Sequence, residues 1–283
     1  MSIAYVFPGQ GSQRKGMGEG LFERFPELVS AADAELGYSL REICLVDPKG
    51  VLGQTQYTQP ALYAVNALSY LARRQAAGRP PDFVAGHSLG EYNALFAAEA
   101  FDFLTGLRLV RRRGALMAEA RGGAMAAIIG VTSEQVGELL HNFAFDRVER
   151  ANFNSPTQTV ISGPADDVEA VSTLFRQAGA AVIRLKVSAA FHSRMLEPVA
   201  RQFRQFLDGI EFLDPKIPVV ANLSARPYDP AAIKDTLAAQ ITQPVRWTET
   251  VRYLMSLGNP TFVEVGPGNV LAGLISQIQG APT

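Results

Sequence analysis

Gly86-His87-Ser88-Leu89-Gly90 joins residue types and spacing that describe a reaction. A Ser inside G-x-S-x-G, directly after the β-prone Phe83-Val84-Ala85, is the context in which a sharp strand-to-helix turn exposes a hydroxyl above a sheet. The two Gly allow backbone segments to approach more closely than a Cβ permits, and the N–H groups after the Ser can stabilise an oxyanion. Such a Ser is a weak nucleophile until a base takes its proton, and that base is ordinarily a His C-terminal to the turn. The chain has three His: His87, His141 and His192. His141 sits beside Leu139, Leu140 and Phe143 and reads as a solvated helix residue, whereas His87 adjoins the Ser on a turn where neighbours point apart and reads as a support. His192, in Ala189-Ala190-Phe191-His192-Ser193, is the base by elimination.

No acid completes a triad convincingly, because Asp146, Asp166 and Asp167 fall in or at the edges of a separate small unit. A His can instead be oriented by donating its Nδ1–H to a backbone carbonyl, so a Ser-His dyad is the expected machinery. Gly9-Gln10-Gly11-Ser12-Gln13-Arg14-Lys15-Gly16 fails as a dinucleotide fingerprint, since Arg14 takes the third Gly position, and fails as a P-loop, since Met17 stands where Lys is required. A backbone N–H of this loop is better employed as an oxyanion donor. Arg111-Arg112-Arg113 places three cations on one helix, and one of them turned toward Ser88 would clamp a substrate carboxylate with its planar fork.

The elements that must hold these residues alternate. Strands are expected at 3–7, 83–85, 219–221 and 262–265, with helices over 21–36, 61–77, 91–101, 104–120, 196–207, 233–241 and 248–257. This is an α/β order with a mostly parallel sheet. Residues 124–187 read instead as strand, helix, strand, strand, helix, strand, the order of the ferredoxin-like split unit. The expected organisation is a large subdomain, 1–122 with 188–283, interrupted by a small one, 123–187. Gly280-Ala281-Pro282-Thr283 reads as a frayed tail.

Composition narrows the field. A net charge of −1, from 26 basic and 27 acidic residues, argues against nucleic acid as the main partner, although Arg73-Arg74 and Arg111-Arg112 could form local basic patches. Cys44 is the single Cys, so no internal disulfide and no close-spaced zinc set is available, and no metal is expected. With no apolar run of about 18 residues and no signal-like N-terminus, a cytoplasmic protein with no membrane association is expected.

Six blocks in order then match one family: Phe7-Pro8-Gly9-Gln10-Gly11-Ser12-Gln13, Tyr57-Thr58-Gln59-Pro60-Ala61, Gly86 to Tyr92 with Arg113-Gly114, Asn152-Phe153-Asn154-Ser155-Pro156, Phe191-His192-Ser193, and Gln240 with Pro244-Val245-Arg246-Trp247. The chain resembles malonyl-CoA:acyl-carrier-protein transacylases over essentially its whole length, most of all the trans-acting acyltransferases of modular polyketide synthases. The resemblance implies an α/β-hydrolase-like large subdomain with a ferredoxin-like insert. It implies Ser88 as nucleophile, His192 as base, the backbone N–H groups of Gln10 and Leu89 as oxyanion hole, and the backbone carbonyl of Gln240 as the group orienting His192. Arg113 would bind the malonyl carboxylate, with Phe191, Gln59 and Asn154 also contacting substrate and with Phe191 and Leu89 as bulky walls against an α-methyl group. Many modular relatives begin the His block with a further His where this chain has Ala189. The implied activity is ping-pong transfer of malonyl from malonyl-CoA to the phosphopantetheine thiol of an acyl carrier protein, by a monomer with no permanently bound cofactor. The competing expectations are a housekeeping transacylase of fatty-acid synthesis, a thioesterase or esterase on the same turn, and a non-catalytic carrier-docking module.

Overall fold

The computed structural model describes residues 2–187 and 189–281. Ser188, where the large subdomain was expected to resume, and Pro282 and Thr283 of the expected tail lie outside the described residues. In chain order the elements are β1 (Ile3–Phe7), α1 (Leu21–Arg24), α2 (Pro26–Leu36), α3 (Leu40–Leu45), α4 (Thr55–Ala77), β2 (Phe83–Gly86), α5 (Gly90–Ala97) and α6 (Phe103–Glu119). They continue with β3 (Gly123–Ile129), α7 (Ser133–Asn142), β4 (Glu149–Ser155), β5 (Gln158–Pro164), α8 (Ala165–Gln177) and β6 (Ala181–Arg184). The chain ends in α9 (Glu197–Asp208), β7 (Val219–Val220), α10 (Ile233–Ala239), α11 (Trp247–Ser256), β8 (Thr261–Glu264) and α12 (Val270–Gln279).

β7, β2, β1 and β8 lie in that order in one sheet, and every pairing is parallel. Parallel sheets are covered on both faces, which is why β1 reads as an unbroken apolar run with Ala4, Val6 and Phe7 fully buried. The large core packs around α4, α5 and α6, while Trp247, Val251, Leu271 and Ile275 cover the opposite face from α11 and α12. β4, β5, β3 and β6 form a second, antiparallel sheet in the ferredoxin-like order. Val136 and Leu140 of α7 and Val168, Val171 and Phe175 of α8 cover one of its faces. β4 is joined to the segment before α11 where Phe153 N–H donates to Val245 O at 2.9 Å and Val245 N–H donates to Ala151 O at 2.9 Å.

Several elements differ from the sequence reading. The helix expected over 21–36 is two, because Pro26 starts α2 without an N–H and holds Phe25 outside helical geometry (φ −127°, ψ 56°). α4 starts at Thr55 and runs through Pro60. The helix expected to 101 ends at Ala97, since Glu99 turns to φ 61° and Asp102 then caps α6 by accepting from Thr105 N–H at 2.7 Å. α3 and α12 were not expected. α12 gains its cap from a distance: the Glu264 carboxylate, at the end of β8, accepts from Leu271 N–H at 3.2 Å and Ala272 N–H at 2.8 Å.

The turn after β2 is where this packing is least forgiving. A Cβ on Gly86 would meet Gly90 C at 1.9 Å, and one on Gly90 would meet Phe7 O at 2.0 Å, both backbone atoms of the sheet-to-helix junction. Gly90→Ala is therefore expected to destabilise the fold by about 3 kcal/mol or more. Equilibrium denaturation checks this, and a loss below about 1 kcal/mol would show that the junction can yield.

Candidate active site

Ser88 lies two residues beyond the end of β2 and adopts φ 50°, a conformation that a non-Gly residue holds only when its surroundings fix it. Four contacts do so. His87 N–H donates to Phe7 O at 3.0 Å, Glu91 N–H donates to Ser88 O at 3.1 Å, Ser88 N–H donates to Asn222 Oδ1 at 2.7 Å, and Asn222 Nδ2 donates to Gly86 O at 2.6 Å. Asn222 lies just beyond β7, so the ends of neighbouring parallel strands meet here, the usual place for a site on such a sheet.

His192 Nε2 lies 2.8 Å from Ser88 Oγ. On its other side, Nδ1 lies 2.8 Å from Gln240 O and 3.0 Å from Gln243 O, two acceptors that require the proton on Nδ1. Nε2 is thereby left as acceptor for the Ser88 hydroxyl proton. His192 also has positive φ (57°), and its N–H donates to Ile241 O at 3.1 Å, so backbone and ring are both fastened to the segment after α10. The ring is only 4 % exposed; burial, and then the nearby Arg113 charge, push it down to about 3, which keeps the imidazole neutral.

Of the four Arg on α6, only Arg113 turns inward; Arg108 and Arg111 donate to the Glu35 carboxylate, each at 2.9 Å, on the surface, and Arg112 is exposed. Arg113 is 1 % exposed, and its guanidinium donates to Gln59 Oε1 at 3.0 Å, Gln240 Oε1 at 2.9 Å and Ser88 Oγ at 3.2 Å, all neutral partners. Its Cζ sits 5.5 Å from the centre of the Tyr92 ring. A buried cation with neutral partners is costly, and a carboxylate at this position would offset that cost.

Leu89 is the N-cap of α5, so its N–H stands at the positive end of that helix, and the Gly9–Gln10 segment runs beside it: a Cβ on Gly9 would lie 3.6 Å from Leu89 N. Gln10, Leu89, Arg113, Phe191 and His192 line one cavity of about 80 Å³ above Ser88, whose apolar wall adds Met117 and Met125. A second cavity, of about 210 Å³, adjoins it through Gln10, His87, Asn152 and Leu185 and extends past Asn154 and Gln158. Asn154 Oδ1 lies 2.8 Å from His87 Nε2, so the His87 ring is held by Asn154, whereas Ser88 Oγ pairs with His192. His141 is exposed on α7. Gln59 sits behind Arg113 and also donates to Met117 Sδ at 3.4 Å. Among the described residues, no group of three His, Cys, Asp or Glu is arranged to hold a metal ion, and no helix is long and apolar enough to cross a membrane. The local basic pairs are largely matched, Arg74 with Glu99 and Arg111 with Glu35.

Asn222, the Gln240 side chain and Glu91 were not singled out from sequence. Glu91 is fully buried, accepting from Tyr228 Oη at 2.7 Å, from Asn222 N–H at 3.0 Å and from Gln240 Nε2. Burial pushes its carboxyl up to about 7 against the pull of those donors and of Arg113. The signal available was a carboxylate in the otherwise apolar α5 sequence Gly90-Glu91-Tyr92-Asn93-Ala94-Leu95-Phe96-Ala97.

The profile of the acyl transferase domain family matches residues 4–279. The polyketide biosynthesis malonyl CoA-acyl carrier protein transacylase PksC of Bacillus subtilis is 53% identical over 98% of this chain and 97% of its own length. The crystal structure of a malonyl CoA-acyl carrier protein transacylase from Burkholderia pseudomallei superposes with a TM-score of 0.97 at 48% identity, covering 100% of both chains. A malonyl-transacylase in complex with its type II PKS acyl-carrier protein (PlMCAT:AntF) superposes with a TM-score of 0.93 at 39% identity, covering 98% of this chain and 93% of that one.

A neutral His192 makes a direct prediction for Ser88. Its modification by an uncharged phosphonylating reagent should proceed at a constant rate from pH 8 down to pH 5, because protonation of the base begins only nearer pH 3. A rate that halves near pH 6.5 would mean an imidazole of ordinary basicity and would refute this account.

Proposed function

This chain belongs to the acyl transferase domain family, and from that premise we propose that it transfers malonyl from malonyl-CoA, through an acyl-Ser88 intermediate, to the phosphopantetheine thiol of an acyl carrier protein in polyketide chain extension. The observation that carries the reading is Arg113, a buried guanidinium without a carboxylate partner, 3.2 Å from the nucleophile. The 53% identity to PksC supports the polyketide setting, and the carrier complex of a neighbour supports the partner.

The scheme follows from the geometry. Malonyl-CoA enters with its free carboxylate on the Arg113 fork, which positions the thioester carbonyl over Ser88. His192 Nε2 takes the Ser88 proton as Oγ attacks the carbonyl carbon. Charge gathers on the carbonyl oxygen, where the Leu89 and Gln10 backbone N–H groups receive it. The C–S bond breaks and the His192 proton goes to the departing coenzyme A thiolate. The carrier's thiol then gives its proton to His192 and attacks the same carbon, and the proton returns to Ser88 Oγ as malonyl leaves on the carrier. The second cavity, with the amides of Asn154 and Gln158, suits the amide-bearing pantetheine arm, while Phe191 and Leu89 wall the acyl end. Each proton and acyl movement has a group on this chain to carry it, so the reading calls for no resident cofactor or metal, and a monomer suffices. It divides the chain into a large subdomain, 1–122 with 188–283, and a small one, 123–187, with the site between them, and assigns the reaction to the cytoplasm.

The apolar lining from Leu89, Met117, Met125 and Phe191 disfavours water beside the acyl-enzyme, which favours transfer over hydrolysis. Intact mass measurement after mixing with malonyl-CoA should show one added malonyl group, lost in Ser88→Ala; an adduct that persists on that variant would sink the assignment. Arg113→Ala should cost roughly a hundredfold in kcat/KM for malonyl-CoA, the size expected when a buried charge-assisted contact is removed, and much less for acetyl-CoA. An unaltered preference for malonyl would refute the role of Arg113.

A further inference from the structure

Gln240 is the hub through which the two halves of this site communicate, and its amide has a definite sense. Nε2 has two hydrogens, one directed to Ser88 O at 2.8 Å and one to Glu91 Oε2; Oε1 is left to accept from Arg113 Nη2 at 2.9 Å. The reversed amide would set Nε2 against Arg113, donor to donor, and Oε1 against two acceptors. The Glu91 carboxyl oxygens already accept from Asn222 N–H and Gln240 Nε2, so Glu91 favours the first arrangement from within the fold, as the guanidinium enforces it from the site. Nothing about packing alone calls for a carboxyl group here: Glu91 is fully buried on α5, three residues beyond the nucleophile, where an apolar side chain would cost less.

We infer that Glu91 is a positioning residue for malonyl selection, holding the Gln240 amide so that its oxygen keeps the Arg113 guanidinium aimed at the substrate carboxylate. One of its other contacts ties the same carboxylate to the nucleophile. Asn222 donates its backbone N–H to Glu91 Oε1 and accepts the Ser88 N–H on its side-chain oxygen, and Tyr228 Oη closes the shell on Glu91 Oε1. Glu91 does not touch the reacting atoms. It acts through Gln240 on the handle for the acyl group, whereas the backbone carbonyl of Gln240, which holds His192, does not depend on the sense of the amide.

The inference rests on Arg113 being the carboxylate anchor, so the test carries that reading as a separate arm. Steady-state kcat/KM is measured with malonyl-CoA and acetyl-CoA on one carrier protein for the parent enzyme, Glu91→Gln, Arg113→Ala and the double variant. Glu91→Gln is expected to lower the malonyl-to-acetyl ratio by about tenfold or more, with the loss falling mainly on KM for malonyl-CoA. In the Arg113→Ala background it should change that ratio no further, because the two residues act on one contact. An equal slowing of both donors would reduce Glu91 to a support of the fold, and a ratio that falls further in the double variant would break the relay; either overturns the inference. Should Arg113→Ala keep its malonyl preference, the anchor reading itself fails; should it lose the preference while Glu91→Gln keeps it, only the relay fails. If Glu91→Gln does not fold, Gln240→Ala reads the same relay: a fall in the ratio supports it, and an unaltered ratio refutes it.

Discussion

A cation held almost entirely out of water sets the terms for this site. Arg113 is delivered there by helix packing: α6 buries Leu109, Val110, Leu116 and Met117 against the core, and the same face carries position 113 inward while 111 and 112 stay outside. Gly114 lets α6 lie close against the start of α4, where even an added Cβ would come within 3.1 Å of Thr55 O. The charge is then softened by neutral oxygens from Gln59 and Gln240 and by the Tyr92 ring face, with the Glu91 carboxylate one residue further off. This arrangement tolerates the ion without satisfying it, and a fully satisfied guanidinium would have little to offer a substrate carboxylate.

The nucleophile and base are fixed by backbone in much the same way. Ser88 and His192 both sit at positive φ on loops that face each other, a conformation that costs of order 1 kcal/mol at each non-Gly position. Both are locked by hydrogen bonds from a different part of the chain: Ser88 by Asn222 beyond β7, His192 by Ile241 and the carbonyls of Gln240 and Gln243. The segment from 219 to 243 therefore serves both partners, and the 2.8 Å contact between them depends on the register of β7 with β2 as much as on the turn itself.

How much of this could be read beforehand depended on whether a side chain or a backbone group does the work. Ser88 announces itself through the two Gly, and His192 through the scarcity of alternatives. The Gln10, Leu89 and Gln240 main-chain groups have no side-chain signature: the turn motif pointed to an N–H after Ser88 and the Gly-rich loop to a second donor, while the resemblance alone singled out Gln10 and Gln240. Asn222 stands directly after the strand expected at 219–221, but its reach to Ser88 and Gly86, more than a hundred residues earlier, is a tertiary fact. Glu91 was in plain view inside the turn motif, yet its burial is a tertiary fact, made by Tyr228 and Gln240 more than a hundred residues away. The same holds for α12, which follows Gly266-Pro267-Gly268 and takes its cap from Glu264 of β8 rather than from a local Ser, Thr or Asp. The split at Pro26, by contrast, was written locally.

The absence of a carboxylate from the hydrogen bonds that hold His192 can be understood from the charge already present. A carboxylate behind the imidazole would stabilise the imidazolium for every donor alike. Two carbonyls orient the ring without supplying that charge, and Arg113 pushes His192 further down, so the base is weak while the site is empty of substrate anion. On the function proposed for this site, a malonyl carboxylate on Arg113 would offset the charge that, after burial, suppresses His192, and the base would gain strength as the correct acyl group arrives. Acetyl brings no such charge and meets a base still depressed by the guanidinium. In this arrangement the anchor for the substrate and the control of the base are one interaction, and selectivity reaches the chemical step as well as binding.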